Sequence, residues 1–251
     1  MSLLLVASLP VMVIAILRYG TKLLGFCQKL LTQAMKLTGG AVSVSKTHAF
    51  IFSNCTHGKV NSVLETFHLY NKTNPTLCIG QVKGDFLDEV VSRVAPVTVL
   101  ELGMHCGYSS VRILRQLGPE ARLLTVEKDP ETADKGEEVI LVSGFKHKQF
   151  QVLACPSSEA IAGLKDHLGA SRQLDLVLMD HGVEHYLPDL QALESSAALS
   201  PGCVVLVVNH MPRREGRAFM EHVQARPHHY TQQRQHMEGM MELTWTGASE
   251  L

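Results

Sequence analysis

The stretch VLELGMHCGYSS runs from Val99 to Ser110, an apolar start leading into a carboxylate, Glu101, and then two glycines, Gly103 and Gly107, with no lysine behind them. Glycines at the end of a strand let backbone approach a ligand closely. A phosphate-cradling loop needs Gly-Lys-Ser/Thr at the helix start, and a dinucleotide loop needs GxGxxG spacing; GMHCG has neither. About twenty residues further on stands Glu127, where an acid accepts hydrogen bonds from ribose hydroxyls. Two acids around a glycine turn without a phosphate cradle suit a nucleoside that carries positive charge instead of phosphate.

The elements that must position these residues follow from periodicity. From Val97 onward VTVLEL, RLLTVE, FQVLA, LDLVLMD and CVVLVV alternate with helical segments, the pattern of parallel strands covered by helices on both faces. HHYTQQRQ and MMELTWTG break the rhythm and read as an antiparallel pair at the sheet edge, which makes a seven-stranded mixed sheet. Upstream, Val60, Val63, Leu64 and Phe67 share one helical face, and DFLDEVVSRV gives a short helix before Pro96. In such a sheet the ligand lies beyond the carboxyl ends of the strands, here after Leu102, Glu127, Ala154, Asp180 and Asn209. S-adenosylmethionine is the nucleoside that answers. Its sulfonium and amino group account for a carboxylate at Glu101, and its ribose accounts for Glu127.

Composition agrees with a small-molecule partner. The chain has 251 residues, 45% hydrophobic and 19% charged, with a net charge of -1. That charge implies no general attraction to nucleic acid. The six cysteines lack CxxC or regular spacing, so they read as reduced thiols on a cytosolic face and not as a zinc site or a disulfide framework. The N-terminus differs in kind: LLLVASLPVMVIAIL, Leu3 to Leu17, carries no charge and is followed by Arg18, Lys22 and Lys29. Without a basic stretch before it or a small-residue cleavage site after it, the run reads as an uncleaved membrane anchor, about 15 residues long where roughly 17–25 span a bilayer. Basic residues on its C-terminal side place the following domain in the cytosol, on the endoplasmic reticulum or plasma membrane. Residues 1–29 are thus the expected anchor with its basic flank, and residues 30–251 the expected globular domain.

From about His48 to Gly247 the chain resembles the catechol O-methyltransferases, through VLELGMHCGYSSVR, LLTVEKDP, LMDHGVEHYLPDL and the KVNSVLETF helix with IGQVKG after it. The resemblance implies an α/β, Rossmann-like, seven-stranded class I methyltransferase fold with a mostly parallel sheet and an antiparallel C-terminal pair. It also implies a cofactor site formed by Ile79, Gly103, His105, Ser109, Glu127, Ser157 and His181, and a catechol-like small molecule as substrate. The family uses Mg²⁺, held by an aspartate after the fourth strand and an Asp-Asn pair after the fifth, together with a lysine that takes the proton from the attacking hydroxyl. Asp180 and Asn209 match two of the metal positions, but the third is Val208. Mg²⁺ relies on one or two carboxylates in near-octahedral oxygen geometry, so this exchange is expected to weaken the metal. Gly182 and Val183 stand where the family has an aromatic residue and the lysine.

Glu184 and His185 are the candidate substitute bases, an imidazole titrating near neutrality having the better match to the task. Gln232 aligns with a family glutamate that accepts a catechol hydroxyl, and Pro75 and Gly182 take the places of aromatic pocket walls. Two functions follow. One is a membrane-anchored S-adenosylmethionine-dependent O-methyltransferase with weak activity on catechols. The other is an impaired, cofactor-binding membrane scaffold or chaperone for protein partners.

Overall fold

A computed structural model describes residues 40–74, 76, 78–169, 173–208, 214–236 and 239–247. The apolar run Leu3 to Leu17, the expected boundary near residue 30, Pro75 and Asn209 lie outside the described residues. Among those described, no helix is long and apolar enough to cross a membrane.

Seven strands form one sheet: β1 (Thr98–Leu102), β2 (Arg122–Val126), β3 (Phe150–Leu153), β4 (Leu174–Met179), β5 (Leu199–Val208), β6 (Tyr230–His236) and β7 (Met240–Trp245). Their order is β3-β2-β1-β4-β5-β7-β6. The first five strands pair in parallel, and β7 joins β5 and β6 in antiparallel fashion. The chain winds outward from β1 to β3 and then returns to β4 on the other side of β1. The switch point therefore lies between β1 and β4, where ligands of such sheets bind.

Alternation along the strands supplies two cores. Val99, Leu123, Phe150, Leu176, Leu206 and Val208 face helices α1 (Gly40–Asn54), α2 (Val60–Asn71), α3 (Gly80–Val94), α4 (Tyr108–Gln116) and α5 (Pro130–Val142). Leu100, Leu102, Leu124, Val177, Val205 and Val207 face the helices that follow β3, β4 and β5: α6 (Ser157–Ala162), α7 (Leu164–Leu168), α8 (Tyr186–Ser195) and α9 (Arg214–Gln224). In α2 the buried apolar residues are Val63, Leu64, Phe67 and Tyr70, one turn beyond the expected stripe, because Val60 is only partly covered.

Two elements differ from their sequence signals. Strand β5 begins at Leu199 and not at Cys203: Leu199 pairs with Leu174, and the register then shifts so that Leu176 meets Val204, with Pro201 and Gly202 exposed in the irregularity. Gly202, at φ 89°, supplies the left-handed turn that lets the strand resume. Helix α3 starts at Gly80, earlier than DFLDEVVSRV indicates.

Helix α4, which follows the glycine loop, is anchored by a buried cation. Arg112 is 2% exposed; it reaches the carboxylates of Asp85 and Asp88 on α3 and donates from Nη1 to the Tyr108 hydroxyl at 2.7 Å. Gly84 makes the room, since a Cβ there would lie 2.1 Å from Arg112 Nη1.

Candidate functional site

The loop from Gly103 to Gly107 turns at the tip of β1. Gly103 has φ 98° and donates its N–H to Val126 O on β2 at 2.9 Å, while Asp180 N donates back to Leu102 O at 2.8 Å. A Cβ at Gly103 would sit 2.4 Å from Asp180 O. Gly107, at φ 81°, opens α4 pressed on Gly136, whose carbonyl oxygen would be 2.9 Å from a Cβ. Between them His105 adopts φ 50°, a left-handed conformation uncommon outside glycine. Three contacts hold it there. Its N–H donates to Glu127 Oε2 at 3.1 Å, its Nε2 lies 3.2 Å from Asp180 O, and its Nδ1 lies 3.9 Å from Glu127 Oε2. Facing a carbonyl, Nε2 carries the proton.

Glu127, one residue past β2, is 8% exposed and accepts a second backbone donor, Asp129 N, on Oε1 at 3.2 Å. Each oxygen has one N–H and a further lone pair, so the carboxylate is both fixed and able to accept again. It faces a cavity of about 320 Å³. Of the residues expected around the cofactor, Gly103, His105, Glu127, Ser157 and His181 line this cavity, joined by Asp180 and His185. Val126, Lys128, Cys155, Pro156, Ser158 and Gly182 complete the wall. The loop after β3 was indicated by the switch-point rule, but nothing in its composition singled out Cys155 or Ser158.

Ile79, Glu101 and Ser109 are not part of that lining. Ile79 precedes the first turn of α3 and is 9% exposed, within the first core. Ser109 is 4% exposed in the first turn of α4. Glu101 shares a strand face with Val99, so its side chain enters the layer under α4. There it is fully buried, with Oε2 accepting from Ser110 Oγ and, at 2.6 Å, from Thr125 Oγ1, while Oε1 has no partner. This placement differs from the expected role facing a sulfonium.

Burial pushes the Glu101 carboxyl above its ordinary value of 4.5, against the pull of the neighbouring hydroxyls. As pH rises from 4.5 toward the raised folded value, the folded chain keeps a proton that the unfolded chain has lost, so stability falls across that window. Glu101→Gln removes the titration. Urea melts between about pH 4 and 8 are therefore expected to show a shallower loss of stability with rising pH in the variant than in the parent chain. Identical slopes would show that Glu101 does not titrate abnormally.

Beyond β4, Asp180 is 6% exposed at the cavity floor. His181 Nε2 is held by Asp189 Oδ2 at 2.7 Å, leaving its buried Nδ1 without a partner, and the His185 ring lies parallel to it, 7° off plane with centroids 6.2 Å apart. Asp189, on α8, was not indicated as an orienting residue by the sequence. His185 is exposed at the rim. Glu184 is also exposed, its Oε1 3.8 Å from His185 Nε2, and it folds over Gly182, where a Cβ would meet that same oxygen at 2.5 Å. Glu184 itself is outside the lining. Val183 packs against the second core. Gln232 lies on the edge strand β6 opposite Leu243.

The described part of the expected donor set does not fit Mg²⁺. Val208 is fully buried in the cluster that includes Leu178, Leu206 and Met240, and its carbonyl oxygen already accepts the Tyr186 hydroxyl at 2.7 Å. Among the described residues no group of three or more His, Cys, Asp or Glu could hold a metal ion. Asp180 is left as the described carboxylate of the expected set; Asn209 lies outside the described residues.

A twisted sheet of this order, with a glycine turn and a spaced acid at its switch point, defines the class I methyltransferases. The solved O-methyltransferase of tomaymycin synthesis from Streptomyces achromogenes, in complex with SAM, superposes with a TM-score of 0.61 at 20% identity, over 73% of this chain and 89% of that one. The profile of the O-methyltransferase family matches residues 58–191. A transmembrane O-methyltransferase homolog of Rattus norvegicus is 35% identical over 203 residues, 80% of this chain and 78% of its own length. Catechol O-methyltransferase B of Danio rerio is 40% identical over 157 residues, 62% of this chain and 59% of its own. The chain belongs to the O-methyltransferase family.

Proposed function

We propose that the chain transfers the methyl group of S-adenosylmethionine to a hydroxyl of a catechol-like small molecule, without the metal clamp that the resemblance implies and hence weakly. The observation that carries this reading is the cavity at the β1/β4 switch, where Glu127 and Gly103 meet Asp180 and His185. When bound, S-adenosylmethionine supplies a methyl group on a sulfonium, ready for in-line displacement. Glu127 accepts the ribose hydroxyls, Gly103 gives the backbone clearance, and Ser157 and His181 border the base. Ile79, Glu101 and Ser109 act from behind this wall, Glu101 through Ser110 and the start of α4. His185 at the rim takes the proton of the acceptor hydroxyl, with Glu184 beside it. Gln232 is a weaker candidate for holding the substrate.

The bound S-adenosylmethionine of the Streptomyces enzyme and the catechol and transmembrane names of the relatives support the cofactor, the substrate class and a membrane attachment through Leu3 to Leu17. The domain then faces the cytosol from the endoplasmic reticulum or plasma membrane.

Calorimetry with S-adenosylmethionine, followed by methyl transfer to catechol with and without EDTA, tests the reading. Binding, slow transfer and indifference to EDTA are expected, with His185→Ala lowering kcat by about 10²-fold while the cofactor Kd stays within twofold. Binding without transfer would favour the scaffold reading, which the core packing of Val183 and Val208 supports. Absence of binding would remove both.

A further inference from the structure

The glycine loop carries a thiol that methyl transfer does not use. Cys106, 3% exposed, follows His105, and its Sγ lies 3.3 Å from Sγ of Cys78, which is half-buried just before Ile79 and α3. The two are distant in sequence, so the contact joins the lead-in of α3 directly to the loop. Cys55 and Cys155 are also half-buried free thiols and Cys203 is buried, which gives an internal comparison.

We propose that Cys78 and Cys106 are a reversible modification site, forming a disulfide under peroxide that clamps the loop and weakens cofactor binding. The chemistry balances with hydrogen peroxide as oxidant. Cys78, the more accessible thiol, attacks one peroxide oxygen; the O–O bond breaks, and Cys78 becomes a sulfenic acid as water leaves. The Cys106 sulfur then attacks the sulfenic sulfur, forming the S–S bond, and the hydroxyl departs with the thiol proton as a second water. Two thiols and one peroxide give one disulfide and two waters. A cytosolic dithiol or glutathione reverses it.

The geometry says what the bond would do. A disulfide holds its sulfurs about 2.05 Å apart, so the pair must close from 3.3 Å. On the loop side Gly107 runs close to Gly136, whose carbonyl oxygen would lie 2.9 Å from an added Cβ, so the loop has little room to shift that way. The strain falls on His105, whose φ of 50° is kept by its hydrogen bonds to Glu127 and to Asp180 O. Pulling Cys106 loosens the His105 N–H from Glu127 Oε2, and the carboxylate proposed to accept the ribose loses its alignment.

The effect on affinity rests on the cofactor reading above, whereas bond formation does not, so the two are read separately on the full-length protein. Hydrogen peroxide, removed with catalase, is followed by alkylation and peptide mass mapping. The expected result is a Cys78–Cys106 linked peptide, two hydrogens lighter and lost on dithiothreitol treatment, with Cys55 and Cys155 still alkylated. Cys78→Ser blocks the link, and because Cys78 is half-buried it serves even if Cys106→Ser misfolds. Calorimetry is expected to show S-adenosylmethionine bound about tenfold or more weakly by the oxidised protein, with no such change in Cys78→Ser. Unlinked Cys78 and Cys106 after oxidation, or a linked protein that binds as tightly as the reduced one, would overturn the proposal. A linked protein whose reduced form binds no cofactor would overturn the affinity effect and the cofactor reading together, leaving the disulfide established.

Discussion

Gly103→Ala is expected to abolish measurable cofactor binding and to lower stability by about 2–5 kcal/mol. Two independent penalties meet at this position. At φ 98° an L side chain is strained whatever the surrounding space, and a residue held in such a region costs about 1–3 kcal/mol. The new Cβ would also lie 2.4 Å from Asp180 O and 2.9 Å from His181 N. Both are backbone atoms of the neighbouring strand end, so no side-chain rotation relieves the overlap. The tip of β1 must move away from β4, and with it the hydrogen bond from Asp180 N to Leu102 O at 2.8 Å. Because the cavity lies across that junction, folding and ligand binding fail for the same reason. Gly118→Ala is the control: nothing lies within 4 Å of its Cβ position and its φ is not positive, so a change within about 0.5 kcal/mol is expected. Urea melts and calorimetry read both variants. A Gly103→Ala protein that melts and binds like the parent would mean that the loop is not packed on β4 as described.

Periodicity made most of this fold legible, and its failures have local causes. The five parallel strands and β7 each carry a run of alternating or continuous apolar residues, whereas β6, YTQQRQH, was marked by the break in the rhythm. The start of β5 was hidden because Ser200, Pro201 and Gly202 look like a turn; only the pairing of Leu199 with Leu174 across the sheet makes them strand. Within the site, Gly103, Glu127, Asp180 and His185 follow strand ends and line one cavity. Glu101 precedes the tip by one residue, and alternation turns its side chain into the core, so the sequence did not show that it lies behind the cavity lining. Cys78 and Cys106 could not be paired from sequence at all, since their contact depends on how the α3 lead-in lies over the loop. The departures from the catechol enzymes gain a physical meaning as well. Val208 lies within the first core and Val183 packs against the second, so among the described residues these two positions serve packing.

Glu127→Ala is expected to weaken S-adenosylmethionine by about 2–4 kcal/mol, some thirty- to thousandfold, while leaving the domain folded. The carboxylate is proposed to accept the ribose hydroxyls, and a hydrogen bond to a charged group contributes about 1.5–3 kcal/mol. Truncation removes more than that contact. His105 N and Asp129 N, which donate to Oε2 at 3.1 Å and Oε1 at 3.2 Å, lose their acceptor together, and His105 loses part of what holds it at φ 50°. The loop is then free to relax into the space the cofactor needs, so some binding energy goes into restoring it. Glu127→Gln separates the two effects. It keeps the shape and one acceptor oxygen, but its amide turns a donor toward one of the two backbone N–H groups, so an intermediate loss of about tenfold is expected. Calorimetry on the three proteins, with urea melts to confirm folding, decides the matter. If alanine binds as tightly as glutamate, the ribose lies elsewhere in the cavity; if glutamine is as poor as alanine, charge and not geometry sets the affinity.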